Sequence, residues 1–332
     1  MSSLPTATPS PWTIVFETYW KFATERPRIY EKRVKGEPQP WTADPILLAH
    51  KFTNPFRAAD RTSQYLIREV IYEPTASTDA EEVVFRILLF KLFNSIPAWE
   101  ALKAKFGMPT WKGFNEAAYV AELGNAWNNG KGVKIWNAAY MQNDLKNYSH
   151  VSAKNKHPRY IRLLKEMMST NVTGKLQAAR TYFDAFQVLR AYPLHEEFIA
   201  MQHLTDLNYS EVIDFNENDF IIPGPGALNG IQKCWGILPP NVTPSEIIMM
   251  CVTDQDAFLA RFGEQPIRLL GKRPLHAIDC QNLYCETDKY ARKKHPQFNL
   301  PDRNGKLKNK IKQTLKPKGP LDAPFFPPKW NL

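Results

Sequence analysis

The chain has 332 residues and a mass of 38.2 kDa; with 43% hydrophobic and 12% aromatic residues, wholesale disorder and collagen-like structure are excluded. That length suits one large domain or two ordinary ones. The net charge of +10 is local, because eleven Lys or Arg and one acid, Asp302, fall between Lys289 and Lys318 while the remainder balances. Cys234, Cys251, Cys280 and Cys285 form neither a CxxC pair nor a zinc spacing, so free thiols in a reducing compartment are expected.

In chain order, Met1 to Pro11 lacks the charged and apolar regions of a secretory signal, and no apolar run reaches membrane-spanning length. A cytoplasmic protein without membrane contact is expected. Apolar residues at Trp12, Val15, Phe16, Tyr19, Trp20 and Ala23 predict a helix, and the apolar run Ala80 to Phe93, with acids at its start, predicts a core helix. Further helices are expected over Tyr160 to Met168, Leu176 to Arg190, His195 to Leu207, Ser245 to Met250 and Asp256 to Phe262. Proline and glycine punctuate the chain at Gly36 to Pro40, Pro97, Gly107 to Pro109, Gly130 to Gly132, Pro223 to Gly226 and Pro239-Pro240. The fold class is therefore mainly α. The boundaries expected are a helical body over 1–292 and a basic, proline-rich extension over 293–332, part of which docks through Phe325, Phe326 and Trp330.

Three stretches are candidates for chemistry. In Phe52 to Arg68, Asn54, Arg57, Arg61, Gln64 and Arg68 recur at spacings of three and four and would share one helical face. Arginines and amides without lysine suit bidentate recognition of phosphates or base edges, although a solvated face has the same spacing. Pro223-Gly224-Pro225-Gly226, followed by Gly230, predicts a turn opening a helix, where backbone N–H groups can hold a phosphate; close packing demands the same glycines. Asp279, Asn282 and Glu286 fall on one helical side that Lys289 continues, lining a cleft or an exposed face. The histidines are scattered without an HExxH or HxxxH pair, so no metal and no organic cofactor is expected. The cationic segment points to a polyanion, nucleic acid first.

Six runs in order resemble one family: Arg26 to Arg33, PWTADPIL from Pro40, FTNPFRAADR from Phe52, FIAMQHLTDL from Phe198, GPGALNGI from Gly224 and CETDKY from Cys285. They are similar to the helical domain found beside phage 5-hydroxymethyluracil DNA kinases and in proposed α-glutamyl/putrescinyl-thymine pyrophosphorylases, a group similar to helix-hairpin-helix DNA glycosylases. The resemblance spans about Trp20 to Arg292. It implies a helix-hairpin-helix glycosylase-like fold and a monomer that handles modified pyrimidines in double-stranded DNA. No GxxxxGK[ST] phosphate loop is present.

The activity expected from this resemblance is a DNA glycosylase that flips out and excises glucosylated 5-hydroxymethylcytosine from phage DNA, an antiviral hydrolase leaving an abasic site. Two alternatives stand beside it: a transferase joining an amino acid or polyamine to an activated 5-hydroxymethylpyrimidine, and a modified-DNA-binding module without catalysis. On the glycosylase reading Asp219, some twenty residues after a hairpin, or Asp279 serves the chemistry. Asn54, Arg57, Arg61, Gln64, Trp41, Phe52 and Glu286 recognise the base, with Phe56, Trp136 and Tyr140 as further aromatic supply. Gly224, Gly226, Gly230, Lys289, Arg292, Lys293 and Lys294 contact DNA.

Overall fold

The computed structural model describes residues 12–137, 155–302, 304–312, 314–315 and 321–332. The chain opens with α1 (Ile14–Val34) and α2 (Pro45–Ala49). A middle stretch follows with α3 (Arg61–Tyr65), a π-helical turn over Leu66–Ile71, α4 (Ala80–Phe93), α5 (Ile96–Phe106), α6 (Glu116–Trp127), α7 (His157–Ser169), α8 (Val172–Ala178), α9 (Tyr182–Arg190) and α10 (Glu197–Leu207). The last helices are α11 (Pro225–Trp235), α12 (Pro244–Thr253), α13 (Gln255–Arg261) and α14 (Ala277–Lys294). Extended pairing among the described residues is confined to isolated bridges, so the fold is mainly α. No helix among them is long and apolar enough to cross a membrane.

The chain forms two compact units. The first takes residues up to Asp60 together with Phe220–Pro324, and the second takes Arg61–Asp219 together with Phe325–Asn331.

In the first unit α14 is the central element. Thr13 caps α1 by accepting from the Val15 N–H, which starts a helix whose aromatic stripe is wholly buried. Tyr19 meets Tyr284 of α14 at 4.5 Å between ring centroids, and Phe16 meets Trp235 of α11 at 4.4 Å. Helix α11 approaches α14 so closely that a Cβ at Gly230 would lie 2.0 Å from the Tyr284 carbonyl oxygen and one at Gly226 2.4 Å from Cys285 Sγ. These two glycines are explained by helix-on-helix approach, and Gly224 is the buried N-cap residue of α11. Because the obstacle at position 230 is backbone, Gly230→Ala is expected to lower stability by about 2–3 kcal/mol. Gly226→Ala, facing a movable side chain, should cost less. Urea unfolding of the two variants measures the difference, and equal midpoints would refute this account of the crossing.

In the second unit α4 is apolar around most of its circumference and buried along nearly its whole length. Three buried charges stand within it, and the first, Glu82, accepts the N–H groups of Trp111 and Lys112. Arg86 donates to the carbonyls of Val70 (2.9 Å) and Ser77 (2.8 Å), and Lys91 pairs with Asp206 of α10 at 2.9 Å. Residues Phe325–Asn331 dock here: Gln64 exchanges two hydrogen bonds with the Phe325 backbone, and Lys329 donates to the carbonyls of Ser210 and Ile213. Trp330 meets Tyr209 edge-on at 5.5 Å.

The structure departs from the sequence expectations at identifiable residues. The shared helical face over Phe52 to Arg68 does not form. Pro55 holds the residue before it out of the α region, and Asp60 is extended at φ −74°, ψ 148°. Asn54 and Arg57 therefore belong to the first unit, whereas Arg61, Gln64 and Arg68 belong to the second. The single helix expected over Leu176 to Arg190 is two, because Ala179 is extended and Thr181 starts α9 with a capping box to Asp184. Helix α5 starts at a proline read as punctuation; Pro97 occupies the first turn, where its missing N–H costs nothing. The four cysteines are free, three of them buried.

Candidate functional site

The polar stripe expected on one side of α14 exists, and what it meets is the segment Phe52 to Arg57. Glu286 Oε2 accepts the Thr53 N–H at 3.1 Å and Asp279 Oδ1 accepts the Arg57 N–H at 2.7 Å. The two carboxylates are seven residues apart, about 10 Å along a helix, a span that four loop residues cover without full extension. The loop is fixed from within as well. Asn54 Oδ1 accepts the Phe56 N–H at 3.0 Å, a turn that the following proline favours. Half-buried Arg26 clasps the Phe52 carbonyl through Nε and Nη2 at 3.3 and 3.1 Å.

Asp279 also closes a capping box at the start of α14, its Oδ2 accepting the His276 N–H at 3.0 Å. Burial raises its carboxyl above the usual aspartate range, opposed by Arg273, the two backbone N–H groups and Arg57. His276 contacts Arg273 Nη2 through Nδ1 at 3.1 Å. Burial, aided by the Arg273 charge, pushes its imidazole down to about 3, so it is neutral at pH 7. The N-terminus of α14 thus gathers the Arg273 guanidinium, one carboxylate and a neutral imidazole, with the Arg57 charge also acting on the carboxylate. Sequence reasoning missed Arg273 and His276. The run Arg273-Pro-Leu-His276 directly before the helix, with an acid three residues after the histidine, was the available signal.

One group in this loop is unsatisfied. Asn54 is 2% exposed, and its Nδ2 has no hydrogen-bond acceptor among the described residues. A buried amide donor in that condition costs about 1–3 kcal/mol unless a ligand accepts from it.

The other expected site residues lie as follows. Phe52 is buried between Phe22 and Tyr290, with Lys289 Nζ 5.8 Å from its ring centre, and Lys289 also pairs with Glu286. Trp41 is buried, donates to the Glu37 carbonyl and lies 5.0 Å from the Arg33 guanidinium carbon. Arg292 pairs with buried Asp288, which also holds Lys233 at 3.1 Å, while Lys293 and Lys294 are exposed in the last turn of α14. Arg61 is exposed. Asp219 is exposed in the second unit, where its carboxylate accepts from Asn216 Nδ2 at 2.8 Å in a surface turn. Phe56 is buried and Trp136 stacks on Phe93 in the second unit; Tyr140 lies outside the described residues.

The model of the family described as 5-hmdU DNA kinase, helical domain, matches residues 13–300, which takes in the loop, α11 and α14. The chain belongs to that family. It is similar to a 5-hmdU DNA kinase of Bacillus phage SP10, 21% identical over 289 residues, covering 83% of this chain and 45% of the relative. The chain thus spans less than half the length of the curated relative it matches. No solved structure matches it. These findings correct the expectation of a hydrolytic DNA glycosylase: the relative is named a kinase, a transferase, and the assignment as an N-glycosyl hydrolase is withdrawn.

Proposed function

We propose that the chain is a helical module that binds DNA carrying 5-hydroxymethylated pyrimidines and supports group transfer at the modified base. Family membership over residues 13–300 supports the DNA substrate class. The observation that carries the site assignment is Asn54 Nδ2, a buried donor lacking an acceptor three residues from Arg57. In this reading Asn54 donates to the carbonyl edge of the pyrimidine. Arg57 and Arg273 hold a phosphate that activates the hydroxymethyl oxygen, and Asp279 positions Arg57 through its backbone. In the transfer an incoming amine nitrogen bonds to the methylene carbon. The bond from that carbon to the phosphate-bearing oxygen breaks, and the amine gives up one proton as the phosphate leaves.

The test uses the full chain with three duplexes bearing thymine, 5-hydroxymethyluracil or its phosphorylated form at one position. The phosphorylated base should bind most tightly, and Arg57→Gln or Arg273→Gln should each reduce that preference about tenfold or more, the worth of a charge-assisted contact. Asn54→Asp keeps the acceptor that Phe56 needs and removes the donor, so it should lower the preference without unfolding the loop. Equal affinity for all three duplexes would overturn the reading. Incubation with isotope-labelled amines followed by nucleoside mass spectrometry then looks for the adduct. A second reading, binding without catalysis, is favoured by the engagement of Asp279 and Glu286 with backbone N–H groups; selective binding without any adduct would establish it.

A further inference from the structure

The cationic segment after α14 has an internal order that net charge does not convey. Lys306, Lys308, Lys310 and Lys312 occupy every second position, separated by Leu307, Asn309 and Ile311. No helical turn forms over 306–312, and the chain is paired antiparallel at both ends, Leu307 with Pro301 and Thr314 with His50. Two backbone bonds and one side chain hold it down: Lys308 N–H donates to the Leu300 carbonyl (3.0 Å), Leu315 N–H to the Ala49 carbonyl (3.1 Å), and Arg292 Nη1 to the Lys310 carbonyl (3.1 Å). In strand-like backbone, alternate side chains leave on the same side at a repeat of about 6.6–6.8 Å. Lys306, Lys310 and Lys312 are exposed and Lys308 is half-buried; Leu307 and Asn309 are exposed as well, so both sides of the segment reach solvent. The neighbouring acid, Asp302, accepts the backbone N–H groups of Asn304 and Lys306 within its own turn.

We propose that this anchored row of lysines is a track for the phosphate backbone of one DNA strand. Its repeat is comparable to the separation of neighbouring phosphates on one strand, so successive lysines can each meet one phosphate charge. The row has no aromatic side chain on which a base could stack and no amide fork to read an edge beyond Asn309, so it is blind to sequence and to base modification. It supplies affinity and orientation while the loop at α14 discriminates the base. The inference rests on the DNA-binding reading above.

The full chain is titrated with fluorescent thymine and 5-hydroxymethyluracil duplexes across a salt series. Replacing the four lysines by glutamine should make the slope of log K against log salt shallower by about 3.6 and weaken binding at low salt by on the order of a hundredfold. The modified-to-unmodified affinity ratio should stay as it was. A second variant, Lys306→Leu/Leu307→Lys/Lys308→Asn/Asn309→Lys, conserves charge but splits the row between two sides, and should lose about half of that slope. An unchanged slope in the glutamine variant, or a parental slope in the rearranged one, overturns the track. Loss of the modified-base preference in the parent chain while the slopes behave as stated would instead refute the proposed function and leave the track standing.

Discussion

Replacing Asp279 by alanine is expected to detach the loop at Arg57 from α14 and to lower the stability of the first unit by about 3 kcal/mol. The magnitude combines a lost helix cap, about 1 kcal/mol, with a buried backbone donor left without an acceptor, about 1–3 kcal/mol. One carboxylate holds both, since Oδ2 serves the His276 N–H and Oδ1 the Arg57 N–H. The alanine variant also removes a negative charge that attracts Arg273 and Arg57. Glu286→Gln is the matched control. It retains an oxygen for the Thr53 N–H and gives up the pairing with half-buried Lys289 and the attraction of Arg26. Hydrogen exchange reads the local event directly: the Arg57 amide should lose protection in Asp279→Ala and keep it in Glu286→Gln. Continued protection of the Arg57 amide in the alanine variant would show that the loop is held by something else.

This loop also marks where local sequence reasoning reached its end. Helix α4 was legible to its boundaries, because an apolar run led by acids has one burial solution and ends where Asn94 turns left-handed at φ 47°. The polar side of α14 was legible because residues 279, 282 and 286 fall on one side of any helix containing them. The partner of that side was not. Arg57 and Asp279 are 222 residues apart, and a backbone N–H donating to a distant carboxylate leaves no trace in the periodicity of either segment. The arginine and amide spacing in Phe52 to Arg68 misled for a related reason: the count of three and four was real, but Pro55 and Asp60 broke the backbone that would have aligned it. The glycines of GPGALNG are explained at Gly226 and Gly230 by contacts with Cys285 and Tyr284, which again requires knowing the opposing helix.

The second large effect lies in the other unit, at the ion pair between Lys91 and Asp206, whose side chains are 4% and 1% exposed. Asp206→Leu leaves an ammonium group in the core with Asn94 Oδ1, 2.9 Å away, as a neutral partner, and is expected to cost about 3–5 kcal/mol. Lys91→Met leaves the carboxylate and should cost a similar amount. The double variant Lys91→Met/Asp206→Leu behaves differently, because the desolvation of both charges disappears together with their attraction. Two apolar side chains of similar volume can then occupy the space between α4 and α10, and stability should return to within about 1 kcal/mol of the parent or exceed it. The coupling is therefore large and favourable in a double-mutant cycle measured by urea unfolding. Simple addition of the two single losses would mean that Lys91 and Asp206 are each held by other neighbours. Recovery would place Asp206, within the run FIAMQHLTDL that resembles the family, among residues kept for a specific core arrangement, since an apolar pair would serve stability equally well.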